Sequence, residues 1–382
     1  MNIAAEHPQE ANYADFENTY YSPQYVADCL GITTRRLKDI VEENGVEVRR
    51  VPRGTVSSRA YTLADLFQLA AIRREKGYTK GLARQIVVST FVQKGGTAKT
   101  TSTVNFAIFL QMCGLRVLLI DNDPQGDSSC MLGYDPDLMP RDLEELGIPA
   151  DRFVDGNLGN LITPLLRMSP FQTKPLDEVI RYPFGPHGPH LIPAENLLDD
   201  LGFALDAANN PDWWYSEWIR MANNGELPGC DISQYDVLIF DNPPSANRLT
   251  KNSIAASDVL LCPVRLDKFS FRALNRLNDW IVRFARDYKW RPSVMVMPTM
   301  FIKNRNRLLA NLITLNELFP GAVTDGKIFF SEDYQKALDQ GFPLLTWKPA
   351  NSKTLQCTRD VFEEVLEHIR KLAQAGSTNS GD

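Results

Sequence analysis

Lys94-Gly95-Gly96-Thr97-Ala98-Lys99-Thr100-Thr101 is the stretch whose reading decides the fold. It follows an apolar run with strand character, Ile86-Val87-Val88-Ser89-Thr90-Phe91-Val92. A helical pattern comes after it, with Val104, Ala107, Ile108 and Met112 on one face. Strand, Gly-rich turn and helix in that order make a phosphate-binding unit. N–H groups of the turn and of the first helical turn converge on an anion, and a lysine adds a full positive charge. The common spacing G-x-x-x-x-G-K-[ST] is not met, because Gln93 and Ala98 stand at its glycine positions. A second lysine, Lys94, opens the turn instead.

Working outward, strand and helix patterns alternate after Ile86, as an α/β domain with a mainly parallel sheet requires. Buried strands are predicted at 86–92, 116–121, 235–241, 258–264 and 293–298. Two of them run into carboxylates. The first ends in Asp121-Asn122-Asp123-Pro124-Gln125-Gly126 and the other in Asp241-Asn242-Pro243-Pro244-Ser245. Ligands gather at the C-terminal edge of such a sheet, so these acids fall where a bound phosphate would sit. Between Asp137 and Ser233 lies a Pro- and Asn-rich stretch with Trp213, Trp214 and Trp218. No role follows from its pattern, and tryptophans at helical spacing usually belong to a core.

The 94–101 turn resembles the deviant Walker A box, K-G-G-x-x-K-[ST], of the ParA/MinD/nitrogenase-iron-protein class of ATPases. Asp121 to Gln125 resembles the ParA-class D-x-D-P-Q box, Asp241 to Ser245 a Walker-B-like strand end, and Asp258 to Val264 the strand that follows it. The likeness covers nearly everything after Ile86, including Met297-Pro298-Thr299-Met300 and Ala337 to Pro343. It implies a deviant-Walker P-loop NTPase with a mainly parallel, doubly wound sheet, an ATPase using ATP/ADP and Mg²⁺. By the same resemblance, Gly95, Gly96, Thr97, Ala98 and Thr101 present backbone amides to the phosphates. Lys99 contacts the β- and γ-phosphates, and Thr100 binds Mg²⁺ together with Asp121 and Asp241. Asp123 orients the attacking water, and Lys94 reaches the nucleotide of a second subunit in a homodimer. Ala98 departs from the usual glycine.

The chain before Ile86 has a separate logic. Residues 1–20 form a polar arm. Ser22-Pro23 and Thr33 are helix starts, and a helix over 34–43 carries Arg35, Arg36 and Lys38 outward. A strand pair, 46–51 and 56–61, carries Arg49, Arg50 and Arg53, and Thr62 caps a helix to Lys76. Segment 21–80 thus resembles a MerR-like winged helix-turn-helix, with a linker at 75–81, an ATPase domain over 85–375 and a disordered tail at 376–382. Together the two parts resemble the larger, plasmid-type ParA partition ATPase. That family binds operator DNA to repress its own operon, coats nonspecific DNA in the ATP state, and is stimulated by a ParB-type partner.

The 382-residue chain has a net charge of −6, but Arg265 to Arg307 holds eleven Lys or Arg against three acids. This local +8 suits an anion-attracting face, and Arg272, Arg276, Arg305 and Arg307 are its candidates for nonspecific DNA. Six scattered cysteines give no metal spacing, and the acidic N-terminus is no signal peptide, so a cytoplasmic, nucleoid-associated protein without membrane contact is expected. A MinD-type membrane positioner would need a basic C-terminal helix, whereas Asp360 to Glu367 is acidic. A reductase would need paired cysteines at the carboxylate boxes. The remaining alternatives are a ParA-like ATPase that positions a non-DNA cargo and a nucleotide-sensing repressor without a motor role.

Overall fold

The computed structural model describes residues 14–53, 56–195, 197–266, 270–289, 292–303 and 305–377, without the side chains of 53, 56, 270–274 and 376–377. Helices α1 (Pro23–Leu30), α2 (Thr34–Glu43) and α3 (Leu63–Glu75) flank a hairpin of β1 (Arg50–Arg53) and β2 (Val56–Arg59). Each helix starts on the residue whose side chain can replace a missing backbone acceptor. The hydroxyls of Ser22, Thr33 and Thr62 accept from the N–H of Tyr25, Arg36 and Asp65, and Asp65 closes a capping box on Thr62. The hairpin is shorter than its sequence pattern suggests.

A six-stranded sheet follows, built from β3 (Ile86–Thr90), β4 (Val117–Asp121), β5 (His190–Ile192), β6 (Val237–Asp241), β7 (Val259–Arg265) and β8 (Ser293–Thr299). Its order is β5-β4-β6-β3-β7-β8, with every pairing parallel. Strand β5 is an element the sequence reading did not foresee. The chain helices are α4 (Lys99–Met112), α5 (Asp127–Met131), α6 (Pro140–Leu146), α7 (Leu158–Ile162), α8 (Leu176–Val179), α9 (Leu198–Asp206), α10 (Trp214–Asn223), α11 (Arg248–Ala255), α12 (Ser270–Tyr288), α13 (Asn306–Leu318), α14 (Glu332–Asp339) and α15 (Ser352–Ser377). Helix α15 takes in Gly376 and Ser377, where a tail was expected. Residues 378–382 and the arm before Ala14 lie outside the described residues.

Strand side chains alternate between two faces, with the period of two that a pleated strand imposes. Val88, Ile239 and Leu261 point into one core, with α4 and α15. Leu118, Leu238 and Phe240 point into the other, with α7 to α11, and this is where most of the 137–233 segment goes, while Val154, Phe184 and Leu191 join the first core. Trp218 is fully buried there, while Trp213 is 39% exposed.

The first core also contains Tyr21, Val26, Leu37 and Phe67, so the N-terminal segment shares its apolar interior with α4 and α15. Tyr21 donates to the carbonyl of Thr346 at 2.6 Å, Tyr25 donates to that of Leu345, and Arg74 pairs with Asp236 at the foot of β6. The 75–81 stretch closes over this pair. A Cβ on Gly81 would fall 2.5 Å from the Arg74 guanidinium and 2.8 Å from the Asp236 carboxylate, so a larger residue here would push that ion pair aside.

Candidate nucleotide site

Strand β3 delivers its chain to the turn at Phe91, and the turn hands it to α4 at Lys99. Gly96 and Ala98 both adopt the left-handed region, with φ of 67° and 61°. The turn needs this geometry to swing its amides to one side, and glycine meets it without strain. At Ala98 the Cβ is carried into that region at about 1–2 kcal/mol. Ala98→Gly should therefore stabilise the protein by about 0.5–1 kcal/mol, the relief being partly offset by greater freedom of the unfolded chain. A denaturant midpoint that stays put or falls would show that the turn gains nothing from the glycine.

Lys99 stands at the N-terminus of α4 and is only 9% exposed. Lys94 is half-buried, and Gly95 and Gly96 are exposed, so the loop's outer rim faces solvent. Thr97 holds the loop to β8, its carbonyl accepting from the Thr299 hydroxyl at 2.9 Å.

The carboxylates sit on the neighbouring strands. Asp121 ends β4 directly opposite Asp241 at the end of β6, and Thr90 lies opposite Asp241 on the other side. Asp241 accepts from Thr103 at 3.2 Å and from Ser128 at 2.8 Å. Asp121 accepts from the Ser129 amide at 2.8 Å, the Ser129 hydroxyl at 2.7 Å and the Asp123 amide at 3.3 Å. Both carboxylates thus tie their strand ends to α5, a task for which strand-end position alone gave no signal. Burial, followed by the adjacent Asp241, raises the Asp121 carboxyl well above the usual carboxylate range.

Asp123 is 5% exposed and accepts from the Gln125 amide through Oδ1 at 3.1 Å, leaving Oδ2 without a hydrogen bond among the described residues. Burial raises its pKa, while the Gln125 amide and Lys99 oppose the rise. Asp127, which sequence reading passed over, feels the same surroundings. Burial and Asp241 raise its pKa and Lys99 lowers it, so it stands beside the same lysine and carboxylate. Only its place at the start of α5, six residues after Asp121, could have flagged it.

Two features fit a phosphate with a cation. The hydroxyls of Thr97, within the loop, and of Thr90, just before it, are buried without a hydrogen-bond partner among the described residues. Paired buried carboxylates beside a lysine also form a charge arrangement that a cation completes. No group of three or more His, Cys, Asp or Glu able to hold a metal occurs among the described residues.

Residues 84–293 match the family model described as AAA domain. The chain belongs to this family. Among curated relatives of the AAA domain is the chromosome partitioning protein ParA of Myxococcus xanthus, 29% identical over 56% of this chain and 62% of that one. The chain thus spans less than two thirds of that relative's length. The fold recurs in cobyrinic acid a,c-diamide synthase from Mycobacterium smegmatis, solved with ADP and magnesium, at a TM-score of 0.55 and 20% identity over 74% of this chain and 95% of that one. A structure described as a partition protein shares it at a TM-score of 0.55 and 16% identity, over 95% of this chain and 94% of that one. The sheet is that of a P-loop NTPase, mainly parallel with helices on both faces.

The candidate DNA residues fall in two groups, one on the N-terminal helices and hairpin and the other around α12 and α13, the latter following the end of β8. Arg35 and Lys38 are exposed on α2, whereas Arg36 is held by Glu43 at 3.2 Å and stacks on Tyr78. Arg49 packs over Tyr20 and Arg50 is exposed. Arg276, Arg305 and Arg307 are exposed around α12 and α13. The side chains of Arg53 and Arg272 lie outside the described residues. No helix among the described residues is long and apolar enough to cross a membrane.

Proposed function

We propose that this AAA domain is a ParA-type ATPase that partitions a DNA replicon. It binds ATP with Mg²⁺, dimerises through the nucleotide face and then binds duplex DNA without regard to sequence. A ParB-type partner stimulates hydrolysis, and the N-terminal winged helix represses the operon. The observation that carries the reading is a phosphate loop bearing two lysines, Lys94 and Lys99, with Asp123 buried beside the second.

Phosphoryl transfer is accelerated chiefly by positioning and by neutralising charge. Lys99, fixed at the positive end of α4, holds the terminal phosphates, and the amides of 95–101 cradle the rest. Thr100 and Asp241 would hold Mg²⁺, which supplies further charge neutralisation at the phosphates. Asp121, bonded to the amide and hydroxyl of Ser129, holds α5 against the end of β4. Asp123 offers its open oxygen to a water and takes up its proton as the water oxygen bonds the γ-phosphorus and the bond to the ADP oxygen breaks. Calorimetry should show ATP binding that needs Mg²⁺, with slow phosphate release. Lack of Mg²⁺-dependent binding by folded protein would overturn the reading.

Two DNA surfaces are expected. Arg35 and Arg50 belong to elements that can enter a major groove and read base edges. Arg305 and Arg307 offer charge to phosphates, which positions without specifying. Arg35→Ala with Arg50→Ala should erase an operator footprint and leave ATP-dependent binding to random duplex. Arg305→Ala with Arg307→Ala should do the reverse, and flatten the slope of log K against log salt by roughly 0.9 for each phosphate no longer neutralised. Loss of both activities in either double variant would collapse the two surfaces into one.

A further inference from the structure

A chain of buried polar side chains crosses the sheet's C-terminal edge and ends on a helix that the nucleotide site does not include. Tyr215, in the first turn of α10, donates through its hydroxyl to Asn122 Oδ1 at 2.8 Å. Asn122 Nδ2 donates to Asn242 Oδ1 at 2.8 Å, and Ser253 Oγ donates to the same oxygen at 2.6 Å. Asn242 Nδ2 donates in turn to the carbonyl of Thr90 at 3.1 Å, at the end of β3. None of Tyr215, Asn122, Asn242 or Ser253 has measurable exposure.

The members lie at telling places. Asn122 stands between Asp121 and Asp123, Asn242 follows Asp241, and Thr90 precedes the phosphate loop. A second tie runs beside the first. Asn252 of α11 accepts through Oδ1 from the amides of Trp214 at 2.9 Å and Tyr215 at 3.3 Å, so α11 caps α10. Packing alone would not call for a tyrosine here. Its ring stacks on Phe240 at 5.5 Å, which phenylalanine would do equally, and a buried hydroxyl is costly unless bonded. The bond it makes falls on the residue that sets where Asp123 begins.

We propose that Tyr215 is a positioning residue for hydrolysis, fixing Asn122 and hence Asp123, and that through it α10 follows the state of the nucleotide site. The proposal rests on the reading of Asp123 as the carboxylate that orients water. Asn122 then has both ends of its amide engaged, and the turn from Asp121 to Asp123 keeps one conformation. A shift at Asn242 or Ser253 reaches α10 by two routes, the Tyr215 hydroxyl and the Asn252 cap.

Tyr215→Phe is the direct test, since the ring and its packing remain. Affinity for ATP with Mg²⁺ should stay within about twofold, KM should hardly change, and kcat should fall about tenfold. Hydrogen exchange supplies a readout apart from turnover. A non-hydrolysable ATP analogue with Mg²⁺ should slow exchange over 214–223 in the wild type and not in Tyr215→Phe. In an Asn122→Ala background, which alone should show the same fall, Tyr215→Phe should lower kcat no further. A wild-type kcat in Tyr215→Phe, additive effects of the two changes, or equal losses of affinity, kcat and thermal stability would each overturn the proposal. A wild type that binds ATP but never releases phosphate would instead sink the hydrolytic reading, with the exchange experiment still deciding whether α10 follows the site.

Discussion

Asp123→Ala should bind ATP as tightly as the wild type and release phosphate at least about 100-fold more slowly, the range in which a general base or water-orienting group contributes. The expectation comes from what the carboxylate does in the fold. Its Oδ1 is occupied by the Gln125 amide, Oδ2 has no such partner among the described residues, and Lys99 lies close enough to affect its ionisation. Burial raises its pKa, which moves it toward a better proton acceptor while Lys99 favours the ionised form. Alanine removes that acceptor and leaves the lysine and the amides that hold phosphate in place. Phosphate release at saturating ATP, beside calorimetric affinity, separates the outcomes. Unaltered turnover, with Asp127→Ala inactive, would transfer the role to Asp127, the other acid that feels both Lys99 and Asp241. Lost nucleotide affinity would make Asp123 a residue of the metal or phosphate shell.

The other large effect is expected at Lys94. Lys99→Ala should remove nucleotide binding altogether, because Lys99 is buried at the end of α4. Lys94→Ala should keep binding and lose the nucleotide-dependent dimer. Lys94 is half-buried next to exposed Gly95 and Gly96, on the rim of the loop that a second subunit's phosphate can approach. Without its charge, two anionic nucleotides would be brought face to face with less to offset their repulsion. Sedimentation with and without ATP and Mg²⁺ decides the point. An ATP-dependent dimer of wild-type strength in Lys94→Ala would end the cross-subunit role, while any dimer made by the N-terminal segment would persist without nucleotide.

Local chemistry made much of this protein legible in its residues. Ser22, Thr33 and Thr62 started helices where their hydroxyls could cap them, because capping needs only three neighbouring residues. The five longer strands were visible as apolar runs, and the turn from Lys94 to Thr101 announced both its conformation and its charge. Spacing alone placed Asp121, Asp123 and Asp241 at one edge, since parallel strands point their ends the same way.

What the chain order concealed were relations between distant residues. Strand β5 is three residues long, too short for a periodicity, and exists because β4 offers it a partner. The 137–233 segment showed no pattern because its apolar residues are shared between the two faces of the sheet, most of them on the far one. Asp121 and Asp241 looked alike at their strand ends, and only the folded chain shows that Ser129 and Ser128 tie both of them to α5. The N-terminal segment read as a unit of its own, yet Tyr21 and Tyr25 bond to carbonyls more than 300 positions away and its apolar side chains enter the core of α4 and α15. Hydrogen bonds within a turn are written into consecutive residues. Those that join Tyr215 to Asn122 and Asn242 depend on where three strands and two helices come to rest, and that is settled only when the whole core packs.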